Sequence, residues 1–315
     1  MTRYTERLEF ACMLRVQENG CDGDVASAST MRFLISESEP RAARDKRRQS
    51  VGRSSGETFE KRLRSLADNA SCTRVMPSDL DSKLPDVAAI TSYDAVFLTG
   101  SPLHLYDDSP ETQRQIAFMR TVFASGTPAF GSCAGLQLAV TAAGGKVRPM
   151  GEKREAGFAR RIYRQDAGQN HPLLSGRSPV FDAPAIHTDE VAELPDGATL
   201  LASNTQTHVQ AAEIRYDRGT FWGVQYHPEI SLREVAAALR RQADDLIEHG
   251  LIRNEVDLEA QALLVDALHD DPTRRDLAWR LGLDEQVTVA EQRMTELRNF
   301  IRYLVEPIRR ERART

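Results

Sequence analysis

The stretch from Tyr93 to Gly145 constrains the fold more than any other part of the chain. "YDAVFLTGSP" reads as a buried strand, Ala95 to Leu98, that runs into a glycine turn. "SPETQRQIAFMRTVFASG" reads as a helix with Ser109 as N-cap, Pro110 at the first helical position and Gly126 just past the end. "TPAFGSC" is a second short apolar strand, and "AGLQLAVTAAGG" an apolar helix that two glycines stop. Strand and helix alternating at this spacing predict parallel βαβ units, hence an α/β fold with an open, mostly parallel sheet flanked by helices. Other segments agree. "MRFLISES" from Met31 reads as an opening strand, "SSGETFEKRLRSLA" as a helix with Ser54 and Glu57 in a capping box, and "CTRVMP" as a short strand. Past Lys146 the sequence turns β-rich, through "FARRIYR", "PAIHTDEVAEL", "VQAAEIRY" and "TFWGVQYH".

A second capping box, Ser231 and Glu234, opens "SLREVAAALRRQADDLIEHG", and almost everything beyond it reads as helical. Ala290, Met294, Leu297, Ile301 and Leu304 recur at helical spacing as one apolar stripe, expected to pack on the chain's own domain. Three regions follow. Residues 1–30 are expected to be a poorly ordered extension, with Met31 as an alternative start. Residues 31–235 form the α/β domain, and 236–315 a helical C-terminal extension. No internal repeat is visible. Between Arg41 and Arg48 five cations meet one anion, which reads as a solvated loop. Docking of a phosphate or an acidic partner is the functional alternative there, and nothing in the sequence ties the cluster to the cysteine described next.

Composition narrows the class. Of 315 residues 41% are apolar and 28% charged, enough for a sizeable core, and a net charge of -5 gives no field favouring nucleic acid. Cys12, Cys21, Cys72 and Cys133 are too sparse for a disulfide framework or a zinc knuckle, so no metal is expected. No segment approaches the roughly 20 apolar residues of a membrane span, and no signal-peptide apolar region is present. A cytoplasmic location is expected.

"GSCAGLQ" places Cys133 between Gly131 and Gly135 at a strand-to-helix junction. A nucleophile on such a turn projects above the C-terminal edge of the sheet, and the residues two before and two after must be small for strand and helix to pass closely. Unpaired N–H groups at the start of the following helix can lower a thiol's pKa and hold an oxyanion. A buried structural cysteine in a glycine turn is the competing reading. "GVQYHPE" supplies partners 94 residues on. A thiol nucleophile wants a general base, and the base a third group to fix its tautomer. His227 and Glu229 flank Pro228, which favours extended backbone, so the carboxylate can reach back to the imidazole. His104 is a candidate for the pocket mouth. Cys72 and Trp222 read as core.

Together these stretches resemble the class I glutamine amidotransferases, the cysteine-histidine-glutamate family that includes the amidotransferase domain of GMP synthase. The resemblance covers about residues 31–235 and implies a flavodoxin-like sheet. It implies Cys133, His227 and Glu229 as catalytic residues. The oxyanion hole falls to Gly100 and Ser101 of "LTGSP" with Ala134, and substrate binding to Gln137 and to His187 and Asp189 of "IHTDEV". Two positions depart from the family pattern. Ala134 follows the cysteine where larger residues are common, and Ile186 stands where a serine often precedes the histidine.

The chemistry implied is hydrolysis of the glutamine side-chain amide through a γ-glutamyl thioester, with no cofactor, and with ammonia supplied to a synthase. The chain shows no GxxxxGK[ST] or SGGxDS phosphate loop, so any such synthase is a separate partner. Covering the sheet, homodimer formation and partner recruitment all remain open for residues 236–315. A stand-alone γ-glutamyl hydrolase or peptidase is the alternative, and a non-catalytic binding module on the same scaffold is the third reading.

Overall fold

The computed structural model describes residues 30–314, so the expected N-terminal extension up to residue 29, with Cys12 and Cys21, lies outside the described residues. The strands are β1 (Arg32–Ser36), β2 (Ser71–Val75), β3 (Ala95–Leu98), β4 (Ala129–Ser132), β5 (Lys146–Pro149), β6 (Glu155–Arg164), β7 (Val180–His187), β8 (Asp189–Glu193), β9 (Ala198–Ser203), β10 (Ala211–Tyr216) and β11 (Gly219–Val224). Nine of them form one sheet in the order β2-β1-β3-β4-β11-β10-β9-β6-β7, and β5 pairs with β8 separately. The half from β2 to β11 is parallel. From β11 onward the pairing is antiparallel, which is the β-rich region seen after Lys146.

Central parallel strands are covered on both faces and so read as unbroken apolar runs. Ala95, Val96, Phe97 and Leu98 of β3 are accordingly all inaccessible to solvent. One face of the sheet is covered by helices Pro110–Ser125 and Ala134–Ala142, through Ile116, Met119, Val122, Leu136 and Val140. The other is covered by helix Ser55–Leu66 and by residues of the C-terminal region. Both capping boxes form, Ser54 with Glu57 and Ser231 with Glu234. Ser109, Pro110 and left-handed Gly126 bound the helix as expected.

The C-terminal stripe packs onto this second face. Leu297 and Ile301 are buried there with Phe300 and Val305, and Leu304 packs against them half-buried. The Phe300 ring lies 5.4 Å from Phe97, 5.6 Å from Phe130 and 6.0 Å from Trp222, one ring against three strands. A buried polar tie lies alongside. Arg177 clasps both carboxylate oxygens of Glu296, at 2.7 and 2.8 Å, and Tyr226 donates to Glu296 Oε1 at 2.8 Å. Helix Leu232–Arg241, which spans the boundary drawn at residue 235, packs with helix Glu255–Asp270 in a third cluster that includes Val235, Leu239, Ala262 and Val265.

One expectation is overturned. The cationic run from Arg41 to Arg48 is not a loop but the greater part of helix Arg41–Val51, ended by left-handed Gly52. Arg44 and Arg47 are paired with distant acids, while Arg41 and Lys46 stay exposed to solvent. Arg44 is buried and donates to both Asp79 oxygens, at 3.1 and 2.6 Å, and Arg47 reaches Glu234 at 3.2 Å. Burial opposes ionisation of Asp79, yet Arg44 and Arg41 hold its carboxyl below the usual range. "PAIHTDEVAEL" also proves to be two strands, broken at Thr188 between the large sheet and the small one.

Candidate active site

Three neighbouring parallel strands end at one edge of the sheet, and each delivers part of the site. β3 leads to Gly100, β4 to Cys133 and β11 to His227. In open α/β sheets the crevice outside the carboxyl ends of the strands is where ligands bind. Cys133 has φ 53 and ψ -114, a left-handed conformation that a residue with a Cβ rarely adopts. The surroundings fix it there, because its N–H donates to Val224 O at 2.8 Å and its carbonyl accepts from Gln137 N–H at 3.1 Å. The flanking glycines are required by contact. A Cβ on Gly131 would lie 2.8 Å from the Gly135 carbonyl carbon, and one on Gly135 would lie 2.6 Å from Leu98 O.

A Cβ on Gly100 would stand 3.0 Å from His227 Cε1 and 3.8 Å from Cys133 Cβ, so the glycine turn, the imidazole and the thiol share one small space. No acceptor among the described residues is paired with the backbone N–H of Gly100, Ser101 or Ala134. The Cys133 thiol makes one long contact, 3.9 Å to Ile186 O, and His227 lies across the same small space.

His227 is fixed from both ends. Its backbone N–H donates to Pro184 O at 2.7 Å, and its Nδ1 lies 2.7 Å from Glu229 Oε1. Burial alone would lower its pKa, but the charges of Glu229 and of the Cys133 sulfur outweigh burial and raise it to about 10. The imidazole is therefore held protonated at neutral pH, facing sulfur on one side and carboxylate on the other. Ser132, which sequence reasoning did not single out, donates to Glu229 Oε1 at 3.0 Å. Cys72 is half-buried in β2, and burial pushes its thiol up to about 11 despite the nearby charge of Arg64.

The three residues expected to bind substrate lie beside the cysteine, and each is already engaged. Gln137 Nε2 donates to Asp189 O at 3.0 Å and to Gln225 Oε1 at 3.2 Å, which secures the bend between β7 and β8. His187 is buried, with Nδ1 2.9 Å from Asp189 O and Nε2 2.7 Å from Glu155 Oε2. Burial disfavours the Glu155 carboxylate, but His187, Asn204 and Gln210 hold its carboxyl below the usual range. The Asp189 carboxylate meets His104 Nδ1 at 2.7 Å and Tyr106 Oη at 3.2 Å, the two rings being stacked. His104 lines the cavity, while Tyr106 and Glu155 support Asp189 and His187 from outside it, and the sequence marked only His104.

Cys133, His227, Gly100, Ser101 and Asp189 line one cavity of about 460 Å³, within the ordinary range for a small-molecule site. Lys46 and Arg47 line it too, so the cationic helix and the cysteine turn, unconnected in the sequence, face the same space. Among the described residues no helix is long and apolar enough to cross a membrane.

The family model of the class-I glutamine amidotransferases matches residues 54–244. A γ-glutamyl-L-1-hydroxyisopropylamide hydrolase from a Pseudomonas species is 36% identical over 282 residues, covering 88% of this chain and 94% of that protein. The glutamine-hydrolysing GMP synthase of Thiobacillus denitrificans is 33% identical over 147 residues, 43% of this chain but only 25% of the synthase. Among solved structures, a glutamine amidotransferase from Thermotoga maritima has the same fold, with a TM-score of 0.56 at 17% identity over 84% of this chain and 98% of that one.

Proposed function

Because the chain belongs to the class I glutamine amidotransferase family, we propose that it hydrolyses γ-glutamyl amides through a covalent intermediate on Cys133. The observation that supports this most is the convergence of Cys133, His227 and Glu229 above one sheet edge, with the imidazole 2.7 Å from the carboxylate. In this reading His227 carries the proton of Cys133, whose thiolate attacks the γ-carbonyl carbon, forming a C–S bond as the carbonyl π electrons move to oxygen. The oxyanion is received by the unpaired N–H groups of Ala134, Gly100 and Ser101, donors of a kind worth about 3–4 kcal/mol each in other enzymes. Protonated His227 gives its proton to the departing nitrogen as the C–N bond breaks, which leaves a γ-glutamyl thioester and a neutral imidazole. That imidazole takes a proton from water as the water attacks the thioester, the C–S bond breaks, and glutamate and the Cys133 thiolate are released beside a protonated His227. Glu229 keeps the ring oriented throughout. Gln137 and His187 hold the wall that carries Asp189, whose carboxylate takes the substrate's α-ammonium in exchange for His104 and Tyr106.

For the leaving group, the match over 94% of a γ-glutamyl amide hydrolase, against a quarter of a GMP synthase, favours release of an amine to solution. The second reading, in which glutamine is hydrolysed and ammonia passes to a synthase partner, is favoured by the GMP synthase likeness itself. Steady-state turnover of glutamine and of γ-glutamyl alkylamides by the purified chain, with Cys133→Ser as control, separates the two. Faster turnover of the alkylamides supports the hydrolase reading, and turnover of glutamine alone supports the amidotransferase. Unchanged turnover by folded Cys133→Ser rejects both.

A further inference from the structure

We propose that Lys46, Arg47 and Arg241 form an anion subsite in the Cys133 cavity that receives a carboxylate carried by the departing amine, so that the preferred substrates are γ-glutamyl conjugates of amino acids. The inference rests on the γ-glutamyl hydrolase reading above and specifies its substrate.

Each carboxylate that lines the cavity has at least one protein donor, although Glu229 Oε2 is buried without one. Glu39 accepts from Ser55 N–H, and Asp245 pairs with Arg154 at 3.2 Å. Asp189 accepts from His104 and Tyr106, and Glu229 from His227 and Ser132. Glu234 is shared by Ser231, Thr58 and Arg47.

The cations that line the cavity are under-satisfied by comparison. Arg47 reaches Glu234 through Nη2, but its Nε is buried without a partner. Arg241 donates to the neutral Ser50 hydroxyl at 2.8 Å, and no carboxylate of the described residues lies within ion-pair distance of it. Lys46 makes no ion pair among the described residues and is exposed to water, which leaves Arg47 and Arg241 as the partly buried pair. Burial, and then the charge of Arg47, lowers the Arg241 pKa, and the carboxylates of Glu39 and Glu234 offset this only in part. Placing like charges together away from water is unfavourable until an anion joins them. Guanidinium groups suit a carboxylate in particular, because their planar N–H fork matches its two oxygens.

Position selects which end of the substrate is read. His227 must face the leaving nitrogen to protonate it. The chain that continues from His227 lines the cavity through Glu229, Ile230 and Glu234 and then forms helix Leu232–Arg241. Arg241 ends that helix, and Arg47 is bonded to its Glu234. The basic wall therefore belongs to the leaving-group side, while the α-ammonium side is marked by Asp189 and His104 from other elements.

The test uses two amides that differ only in this carboxylate, γ-glutamyl-L-alanine and γ-glutamyl-ethylamide. The wild-type chain is expected to prefer the alanine conjugate by about tenfold or more in kcat/KM, the worth of one charge-assisted hydrogen bond. Lys46→Gln combined with Arg241→Gln is expected to abolish that preference, with circular dichroism verifying the fold. Arg47 is left in place because it holds Glu234. No preference in the wild type overturns the subsite whether or not the variant folds. A variant that loses equally on both amides also overturns it, since the groups would then read the α-carboxylate that both share. If the wild type turns over neither amide, the hydrolase reading itself fails and the subsite with it. Turnover of both at equal rates leaves that reading standing and removes the subsite alone.

Discussion

Ser132 Oγ donates to Glu229 Oε1 at 3.0 Å, on the same oxygen that faces His227 Nδ1 at 2.7 Å. The residue before the thiol thus helps to set the carboxylate that sets the imidazole. Ser132→Ala removes a buried donor and is predicted to cost about 1–3 kcal/mol of stability. If Ser132 positions the triad, kcat also falls by about tenfold, roughly the worth of one such bond, while KM holds. A loss of stability with kcat unchanged would reduce Ser132 to a packing role.

The raised pKa of His227 predicts a pH dependence with a definite sign. The folded value, about 10, lies above the ordinary 6.5, so folding favours the protonated ring. That contribution to stability is complete below about pH 6.5 and fades as pH rises through about 10. The kcat/KM profile should fall along an alkaline limb near pH 10, as the folded ring loses the proton meant for the leaving nitrogen. Glu229→Gln removes the attraction but leaves burial, so the limb should move to lower pH. A limb that stays in place would mean the pair does not set it.

Much of this site was legible because strain demands particular residues. The elbow announced itself through Gly131 and Gly135, which backbone contacts forbid from carrying a Cβ, and His227 and Glu229 through their spacing across Pro228. The parallel half of the sheet was legible because its strands are buried on both faces. Helix Arg41–Val51 was misread as a loop because the acids that satisfy it, Asp79 and Glu234, lie 35 and 187 residues away from Arg44 and Arg47. No local pattern encodes a partner at that distance. Ser132 was missed for another reason, since the elbow pattern accepts any residue there and only the coordinates show where its hydroxyl points. The grip of His104 and Tyr106 on Asp189 depends on a loop that closes across the sheet edge, 83 to 85 residues away in the chain.

The elbow yields a stability prediction. Gly135→Ala sets a methyl 2.6 Å from the Leu98 carbonyl oxygen, a backbone atom with no freedom to yield. Overpacking of this kind costs about 1–3 kcal/mol or more, and thermal unfolding should show at least that loss together with loss of turnover. Full stability would show that the strand-to-helix approach is looser than described.

Glu296 links the C-terminal residues to the site. It holds Arg177 bidentately and accepts from Tyr226, the residue before His227. Glu296→Ala leaves Arg177 buried and unpaired and is predicted to destabilise the protein by about 3–5 kcal/mol. Urea unfolding measures this directly, and a loss below about 1 kcal/mol, the range of exposed ion pairs, would mean the tie is solvated.

The most direct test traps the intermediate. The purified protein is mixed with a γ-glutamyl amide, quenched in acid during turnover and examined by peptide mass spectrometry. The account predicts one γ-glutamyl group on the Cys133 peptide, discharged as the hydroxamate when hydroxylamine is added, and absent from Cys133→Ser. Steady release of glutamate with Cys133 unmodified, and equal release by the folded serine variant, would contradict it.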